Sequence, residues 1–354
     1  MTTDTLNFLE SVAALPEQFA NAHRRAGAID PDDFPSAEGV ANIVVCGLGA
    51  SGIVGDVLAA SSSGELSVPV IVSKQIRTPG FVGADSLVFA VSYDGESPET
   101  VAMARGALEA GARVVAISAG GTLASLATGA PNALHISCAG GLESRAALGE
   151  VVVPVFVTLF RMGMLASAHD SLRTTEVALT ARRNGCVDGI VAPANPAKEI
   201  ARKIGRTIPL IYGGGALGGV AAYRWKCDIN ETAKAPAFTA QFPELGYNEV
   251  SAWGQHGDVT RQLISLIEVR HGFEHAQLGR QFDAARAIID EALHQVISVE
   301  AAGESRLAQL LDLMYLGDWV SCYLALQNDV DPGPVEATQR LRDLVAIATG
   351  SPSQ

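Results

Sequence analysis

Two glycine-rich turns, each placed between an apolar strand and a helix, are the segments of this chain best suited to bind a small anion. The first covers residues 47–52 and the second covers residues 213–219. A helix that begins at such a turn presents free backbone N–H groups and the positive end of its dipole. The repetition predicts two α/β halves, each able to hold an anion or a small polar ligand.

The first turn also matches the Gly-x-Gly-x-x-Gly fingerprint of dinucleotide-binding proteins. That fold needs an acidic residue at the end of the next strand to bind the ribose, and the predicted strand 69–73 has none there. A nicotinamide cofactor is therefore disfavoured, and we predict no cofactor. Gly49, Ser51 and Gly52 are instead predicted to bind a ligand, with the alternative that Ser51 only caps its own helix.

A second polar loop follows the third predicted strand, over residues 92–100. Ser92, Asp94 and Ser97 are its predicted ligand-binding residues, and Ser97 also suits the N-cap of the helix that follows. A third glycine turn lies at 118–122. In a doubly wound sheet these loops lie side by side, which indicates a cradle for a sugar phosphate or another anion. The alternative is that each is an ordinary connection.

The elements that must position these loops alternate between strand and helix. The strand candidates are 42–46, 69–73, 86–91, 113–118 and 133–137, and the helical stretches between most of them are 52–61, 98–110 and 121–128. A helical pattern over 4–27 precedes them. This alternation predicts an α/β fold with a parallel, doubly wound sheet in three layers.

The second half repeats the pattern after a mostly helical stretch at 145–184. Its apolar segment 151–165 is interpreted as a buried crossover helix or a subunit interface. The remaining predicted elements are helices 196–204, 217–229, 276–293, 305–326 and 334–347, strands 208–212, 263–270 and 296–299, and an irregular stretch at 230–248. We therefore predict two domains, 1–190 with a leading helix and crossover helices, and 191–354 with a C-terminal helix.

Composition excludes several classes of function. The 354 residues carry a net charge of −13, which disfavours a nucleic-acid partner. No apolar run reaches the ~18 residues that a membrane span needs, and the N-terminal residues lack the regions of a signal peptide. The five cysteines are scattered, which is typical of reduced thiols in a cytoplasmic protein. The histidines of the segment 271–275 do not have the spacing of a zinc-binding helix, so we predict no metal.

Three motifs carry a resemblance to a known family. They are Arg145-Ala-Ala-Leu-Gly149, the segment 224–238 that begins Arg-Trp-Lys-Cys-Asp-Ile-Asn-Glu, and the segment 242–249 that reads Phe-Pro-Glu-Leu-Gly-Tyr-Asn-Glu. With the loops above, the pattern resembles the sugar isomerase (SIS) domain. Over roughly residues 40 to 345 the chain resembles the bifunctional phosphoglucose/phosphomannose isomerase family, which has two such domains in tandem.

The resemblance implies an aldose–ketose isomerase that converts glucose 6-phosphate or mannose 6-phosphate to fructose 6-phosphate, and a homodimer with sites at its interface. It gives Glu231 the role of the base that moves a proton between C1 and C2 through an enediol. It gives Arg145 the role of stabilising the enediolate, which suits a cation that keeps its proton. By spacing alone, Glu231 is a surface carboxylate paired with Lys226 or Lys234.

The chain departs from the family pattern at positions that matter for activity. Tyr247 stands where the family has a histidine that assists ring opening from the neighbouring subunit, and Arg342 stands where it has a lysine. Tyrosine, with a reference pKa near 10, suits proton transfer at neutral pH less well than histidine. Asp94 and Glu96 stand where a phosphate is expected. A second hypothesis is therefore a non-catalytic binder or regulator that binds sugar phosphates on the same scaffold; His271 is a further candidate for proton transfer.

Overall fold

The computed structural model describes residues 3–349 and contains nine strands within that range. The strands are β1 (Asn42–Cys46), β2 (Val70–Ser73), β3 (Ser86–Val91), β4 (Arg113–Ser118), β5 (Ala133–Ser137), β6 (Ile208–Gly214), β7 (Phe238–Phe242), β8 (Ile264–Arg270) and β9 (Gln295–Glu300). They form two parallel sheets, one in the order β2-β1-β3-β4-β5 and one in the order β7-β6-β8-β9.

Helices surround both sheets. They are α1 (Phe8–Ala13), α2 (Leu15–Gly27), α3 (Gly49–Ser61), α4 (Pro98–Glu109), α5 (Gly121–Thr128), α6 (Leu148–Arg161), α7 (Ala168–Cys186), α8 (Pro196–Ile204), α9 (Gly215–Glu231), α10 (Gly257–Leu263), α11 (Ala276–Ile289), α12 (Arg306–Gln327) and α13 (Glu336–Thr349). Among the described residues, no helix has both the length and the apolar character that a membrane crossing requires.

The first sheet is covered on both faces, which explains its continuous apolar strands. Successive residues of a strand point to opposite faces. Ile43 and Val45 accordingly join the core formed with α2, α3 and α6, whereas Val44 and Cys46 join the core formed with α4 and α5. This arrangement confirms the predicted three-layer, doubly wound α/β fold.

The second sheet is built in the same way. Ile211 and Ile267 lie in the core shared with α8, α9 and α12, and Leu210 and Leu266 pack with α11 on the other face. Its edge strand β7 lies inside the stretch 230–248 that was predicted to be irregular. The apolar and polar residues of 238–242 alternate over only five positions, and pairing with β6 fixes them as a strand.

Helices α9 and α12 connect the two halves. Helix α12 packs against α7, α8 and α9, and α9 also packs against α3 beside the first sheet. The Trp225 indole on α9 donates to the Leu313 carbonyl on α12 at 2.7 Å. One apolar core therefore runs through both halves, and the boundary near residue 190 stays a prediction. The predicted ends 1–2 and 350–354 lie outside the described residues.

Two further helical predictions are changed by the structure. The predicted helix 4–27 is two helices, α1 and α2, which are separated at Ala14. Residues 148–159 of α6 are buried within the chain itself, against α2, α3 and α7. The apolar segment 151–165 is therefore largely core between layers, and the alternative of a subunit interface on this helix is disfavoured.

Candidate active site

The first glycine turn and the 92–97 loop meet where the chain order reverses, between β1 and β3. Ligands bind at this point in open α/β sheets. The turn is tight, because a Cβ on Gly52 would lie 2.5 Å from the Gly47 carbonyl oxygen. The buried Ser51 hydroxyl accepts from the backbone N–H of Tyr93 at 3.2 Å. The N-cap of α3 is Leu48, so the interpretation of Ser51 as a helix cap is wrong.

The 92–97 loop is organised around the carboxylate of Asp94. The hydroxyl of Ser92 and the backbone N–H of Glu96 both donate to Asp94 Oδ1, each at 3.0 Å. Ser97 caps α4 by accepting from the N–H of Thr100 at 3.4 Å. The structure therefore brings the predicted ligand-binding residues of the two loops together. It also shows that Asp94 already occupies two donors that an anion would use.

The carboxylate of Glu96 is turned toward the start of α5. It accepts from the backbone N–H and the hydroxyl of Thr122, both at 2.8 Å. Gly95 permits this close approach, since its φ is +79° and a Cβ there would lie 2.0 Å from the Gly120 carbonyl oxygen. A negative charge at a helix N-terminus is stabilising. Glu96 thus joins the second loop to the third glycine turn.

Glu231 is the last residue of α9, and not part of an irregular segment as predicted. Tyr223, Cys227 and Glu231 are spaced by four residues and share one face of this helix. The Lys74 ammonium lies 5.0 Å from the centre of the Tyr223 ring and also pairs with Asp56 on α3. This face of α9 is therefore next to the first glycine turn.

The sequence analysis did not identify Lys74 and Tyr223 as neighbours of the candidate site. Lys74 follows β2 directly, so its place at the carboxyl edge of the sheet was a usable signal. Tyr223 lies eight residues before Glu231. This spacing places the two residues on one helix face only if the helix extends to residue 231, and the predicted helix ended at residue 229. The thiol of Cys227 and partial burial raise the pKa of Tyr223 to about 12.

Arg145 lies in a 3-10 turn before α6 and is only 5% exposed. One terminal nitrogen, Nη2, donates to the carbonyls of Pro332, at 2.9 Å, and Gly333. The guanidinium carbon lies 4.1 Å from the centre of the Phe8 ring. Within the described part of the chain, the Nε–H has no hydrogen-bond partner. A buried, unpaired donor of this kind is costly unless a ligand satisfies it.

The surroundings of the Arg145 guanidinium include two carboxylates. Burial lowers the pKa of the Arg145 guanidinium, and the negative charges of Glu143 and Glu231 oppose that shift. Among residues 3–349, no ion pair joins Glu231 to Lys226 or Lys234. The Lys234 ammonium instead donates to the carbonyl of Asp331 at 2.7 Å. The described residues therefore do not support the pairing of Glu231 with either lysine, and the ion pair of Arg145 itself is with Glu143, at 3.7 Å.

The comparisons with known proteins decide the family. Residues 193–345 match the family model described as the bacterial phospho-glucose isomerase C-terminal SIS domain. A bifunctional phosphoglucose/phosphomannose isomerase from Caldicellulosiruptor bescii is 32% identical over 340 residues, which cover 95% of this chain and 98% of that protein. One from Thermoplasma acidophilum is 30% identical, covering 86% and 90%. The chain belongs to the bifunctional phosphoglucose/phosphomannose isomerase family.

Solved structures agree on the fold of this family member. The C-terminal domain of glucosamine-fructose-6-phosphate aminotransferase from Francisella tularensis superimposes with a TM-score of 0.70 at 15% identity, covering 92% of this chain and 98% of that one. A glucose-6-phosphate isomerase like protein from Thermus thermophilus gives a TM-score of 0.57 at 19% identity, covering 96% and 98%. The fold described above is thus shared with these two proteins.

The two remaining predicted catalytic residues of this family member are on the surface. Tyr247 ends a 3-10 turn after β7 and is 83% exposed. Arg342 lies on α13 and is also exposed. In the single chain, neither side chain is packed into the buried surroundings of Arg145. Their roles stay predictions.

The second glycine turn does not offer the open site that the repeat predicted. The His271 ring is bonded through Nε2 to the Gly214 carbonyl at 2.9 Å, and the Glu274 carboxylate lies against Gly214. Protein side chains therefore cover this turn. It is also at the opposite end of α9 from Glu231, about 24 Å away at 1.5 Å per residue. The proposal that His271 moves protons at the Glu231 site is therefore wrong.

A cavity of about 470 Å³ lies elsewhere, between α7 and the loop before α12. Its lining includes Arg173, Val177, Arg182 and Asp312. Arg182 and Asp312 satisfy each other through two hydrogen bonds of 2.7 and 2.6 Å. None of the predicted site residues lines this cavity, so it is separate from the candidate active site.

Proposed function

We propose that this protein interconverts hexose 6-phosphates, taking glucose 6-phosphate or mannose 6-phosphate to fructose 6-phosphate. Family membership over 95% of the chain supports a phosphosugar isomerase. The observation that carries the proposal is the buried guanidinium of Arg145, whose Nε–H has no hydrogen-bond partner among the described residues and whose protonated form the charge of Glu231 stabilises.

The proposed chemistry assigns one task to each group. Glu231 removes the proton from C2 of the aldose and returns it to C1, through a cis-enediol. The Arg145 guanidinium stabilises the charge that develops on the enediolate oxygen, and it does so without giving up its own proton. Tyr247 is the candidate for proton transfer in ring opening, and Arg342 can supply positive charge but not a proton.

The phosphate is proposed to lie at the edge of the first sheet. The N-terminus of α3 supplies the backbone N–H of Gly49, and Ser51, Ser92 and Ser97 supply hydroxyls. The N–H of Gly52 donates to the Leu48 carbonyl at 3.0 Å, so the part of Gly52 in the site is to permit the tight turn. The sugar then extends from this edge toward the face of α9 that ends at Glu231. Sites shared between two copies of the chain, a homodimer and a cytoplasmic location also stay proposals.

The experiment tests whether Glu231 transfers the proton between C1 and C2. Wild-type protein is incubated with fructose 6-phosphate in D₂O, and the aldose products are analysed for deuterium at C2. Glu231→Gln is expected to lower kcat by about 10² to 10⁴, the contribution typical of a general base, and to abolish deuterium incorporation. Glu176→Gln, a half-buried glutamate on α7, is the matched control and should retain both.

A second candidate function has its own supporting observation. Asp94 accepts from the Ser92 hydroxyl and the Glu96 N–H, so the phosphate cradle already holds a negative charge. A non-catalytic protein that binds sugar phosphates would show binding in calorimetry with no turnover of any hexose 6-phosphate. Turnover that Glu231→Gln leaves unchanged would refute Glu231 as the base.

A further inference from the structure

We propose that Arg224 and Asp318 are positioning residues that hold Arg145 in a fixed position relative to Glu231. This inference rests on the proposed function for the roles of Arg145 and Glu231. Arg224 lies seven residues before Glu231 on α9, and Asp318 lies on α12. The two side chains act through Arg145 and are not themselves assigned to contact the substrate.

Three elements of the fold converge on the Arg224 guanidinium. Its Nη2 donates to the backbone carbonyl of Arg145 at 2.7 Å and to Asp318 Oδ1 at 2.9 Å. Its Nε lies 2.8 Å from Asp228 Oδ2, one turn along α9. Arg224 is 3% exposed, and both aspartates are buried. The planar fork of an arginine is suited to hold several acceptors at fixed angles.

Two aspartates of this cluster lie against one guanidinium. Burial raises the pKa of Asp228 well above its ordinary value, Arg224 opposes that shift, and the negative charge of Asp318 adds to it. Asp318 is the carboxylate that accepts a hydrogen bond from Arg224, from Nη2 at 2.9 Å. Removing the charge at Asp318 would leave the Arg224 guanidinium buried and unbalanced, which is strongly unfavourable.

Arg145 is held at two points, and both lead to α12. Its backbone carbonyl is held by Arg224, which is paired with Asp318 on α12. Its side chain is held by the carbonyls of Pro332 and Gly333, in the segment that follows α12. The Arg145 Nε–H, which has no hydrogen-bond partner among residues 3–349, is thereby fixed relative to α9. Loosening the first point should displace that N–H from the end of α9 without removing any proposed substrate contact.

The test compares two buried aspartates of the same helix. Asp318→Asn removes the charge beside Arg224. Asp312→Asn is the matched control, because Asp312 is also buried on α12 and paired with an arginine, Arg182, outside the candidate site. Both variants are expected to lower Tm. Only Asp318→Asn is expected to lower kcat by tenfold or more, with KM within threefold, since the lost contact serves the transition state.

A readout that needs no activity is the hydrogen exchange of the Arg145 Nε–H, followed by NMR with ¹⁵N-arginine and assigned with Arg145→Lys. We expect exchange at least tenfold faster in Asp318→Asn and within threefold of wild type in Asp312→Asn. If Asp318→Asn does not fold, Arg224→Lys, which keeps the charge but loses the fork, takes its place with the same expectation.

The outcomes separate this inference from the proposed function. Unchanged Arg145 exchange in Asp318→Asn, or equal changes in the two aspartate variants, overturns the positioning role whether or not the protein is active. Faster exchange with unchanged kcat also overturns it. A wild type that turns over no hexose 6-phosphate refutes the proposed function instead, and the exchange comparison then still decides whether Asp318 fixes Arg145.

Discussion

Replacing Asp94 by asparagine should strengthen the binding of a sugar phosphate. The change removes one negative charge from the proposed cradle and keeps an oxygen that can accept from the Ser92 hydroxyl and the Glu96 N–H. Because those acceptor contacts survive, the loop should keep its conformation. The expected gain is therefore electrostatic.

Its size follows from the exposure of Asp94. Two unit charges 4 Å apart repel by ~1 kcal/mol in water and by ~4 kcal/mol at an effective dielectric constant of 20. Asp94 is exposed, which places it near the first limit, and a phosphate carries up to two charges. A gain of about 1–2 kcal/mol corresponds to a Kd roughly 5- to 30-fold lower.

Calorimetry with fructose 6-phosphate measures this gain, and unphosphorylated fructose shows whether it belongs to the phosphate. The gain should shrink in 1 M salt, where the Debye length is about 3 Å. Glu109→Gln is the control, since Glu109 is an exposed acid at the far end of α4. An Asp94→Asn protein that folds but binds fructose 6-phosphate no more tightly than wild type would refute the placement of the phosphate beside this loop.

Two further predictions concern proton transfer and alkaline stability. Tyr247→His should leave Tm unchanged, because Tyr247 is 83% exposed. It should raise kcat several-fold near pH 7, where histidine exchanges protons more readily than tyrosine. An unchanged kcat for hexose 6-phosphate isomerisation, measured in a coupled enzyme assay, would show that proton transfer by residue 247 does not limit turnover. Burial raises the pKa of the Cys46 and Cys138 thiols from 9.0 to about 12, so above pH 9 the unfolded chain loses these protons first and each thiol lowers the stability by about 1.4 kcal/mol per pH unit. Urea titrations between pH 8 and 11 should give a shallower decline for Cys46→Ala, and an equal slope would contradict this account.

The fold was predictable because its signals are local. Strand 86–91 is apolar from Leu87 onward, as buried parallel strands are, and the ends of such strands carry glycine, serine or proline. Strand β7 was not predictable in this way. Its residues 238–242 alternate between apolar and polar types over only five positions, and they are ordered by hydrogen bonds to β6, whose paired residues lie 28 positions earlier in the chain.

For the candidate site, the sequence predicted which residue types are present but not which groups each side chain contacts. Sequence placed Ser51, Ser92 and Asp94 at one sheet edge, but it treated Asp94 and Glu96 alike as charges facing a phosphate. The structure separates them, because Glu96 binds the start of α5 while Asp94 binds within its own loop. That difference depends on where each side chain finds free N–H groups, and residue type does not show this.

The two glycine turns show why equal motifs need not have equal functions. At the second turn, the His271 ring and the Glu274 carboxylate fill the space beside Gly214. At the first turn, the Lys74 ammonium lies over the ring of Tyr223, which is on the same face of α9 as Glu231. In the proposed site, the first half of the chain supplies the anion cradle and Arg145, and the second half supplies the base. Catalysis of the proposed kind therefore depends on the packing between the halves, and the buried Arg224–Asp318 pair lies at that junction.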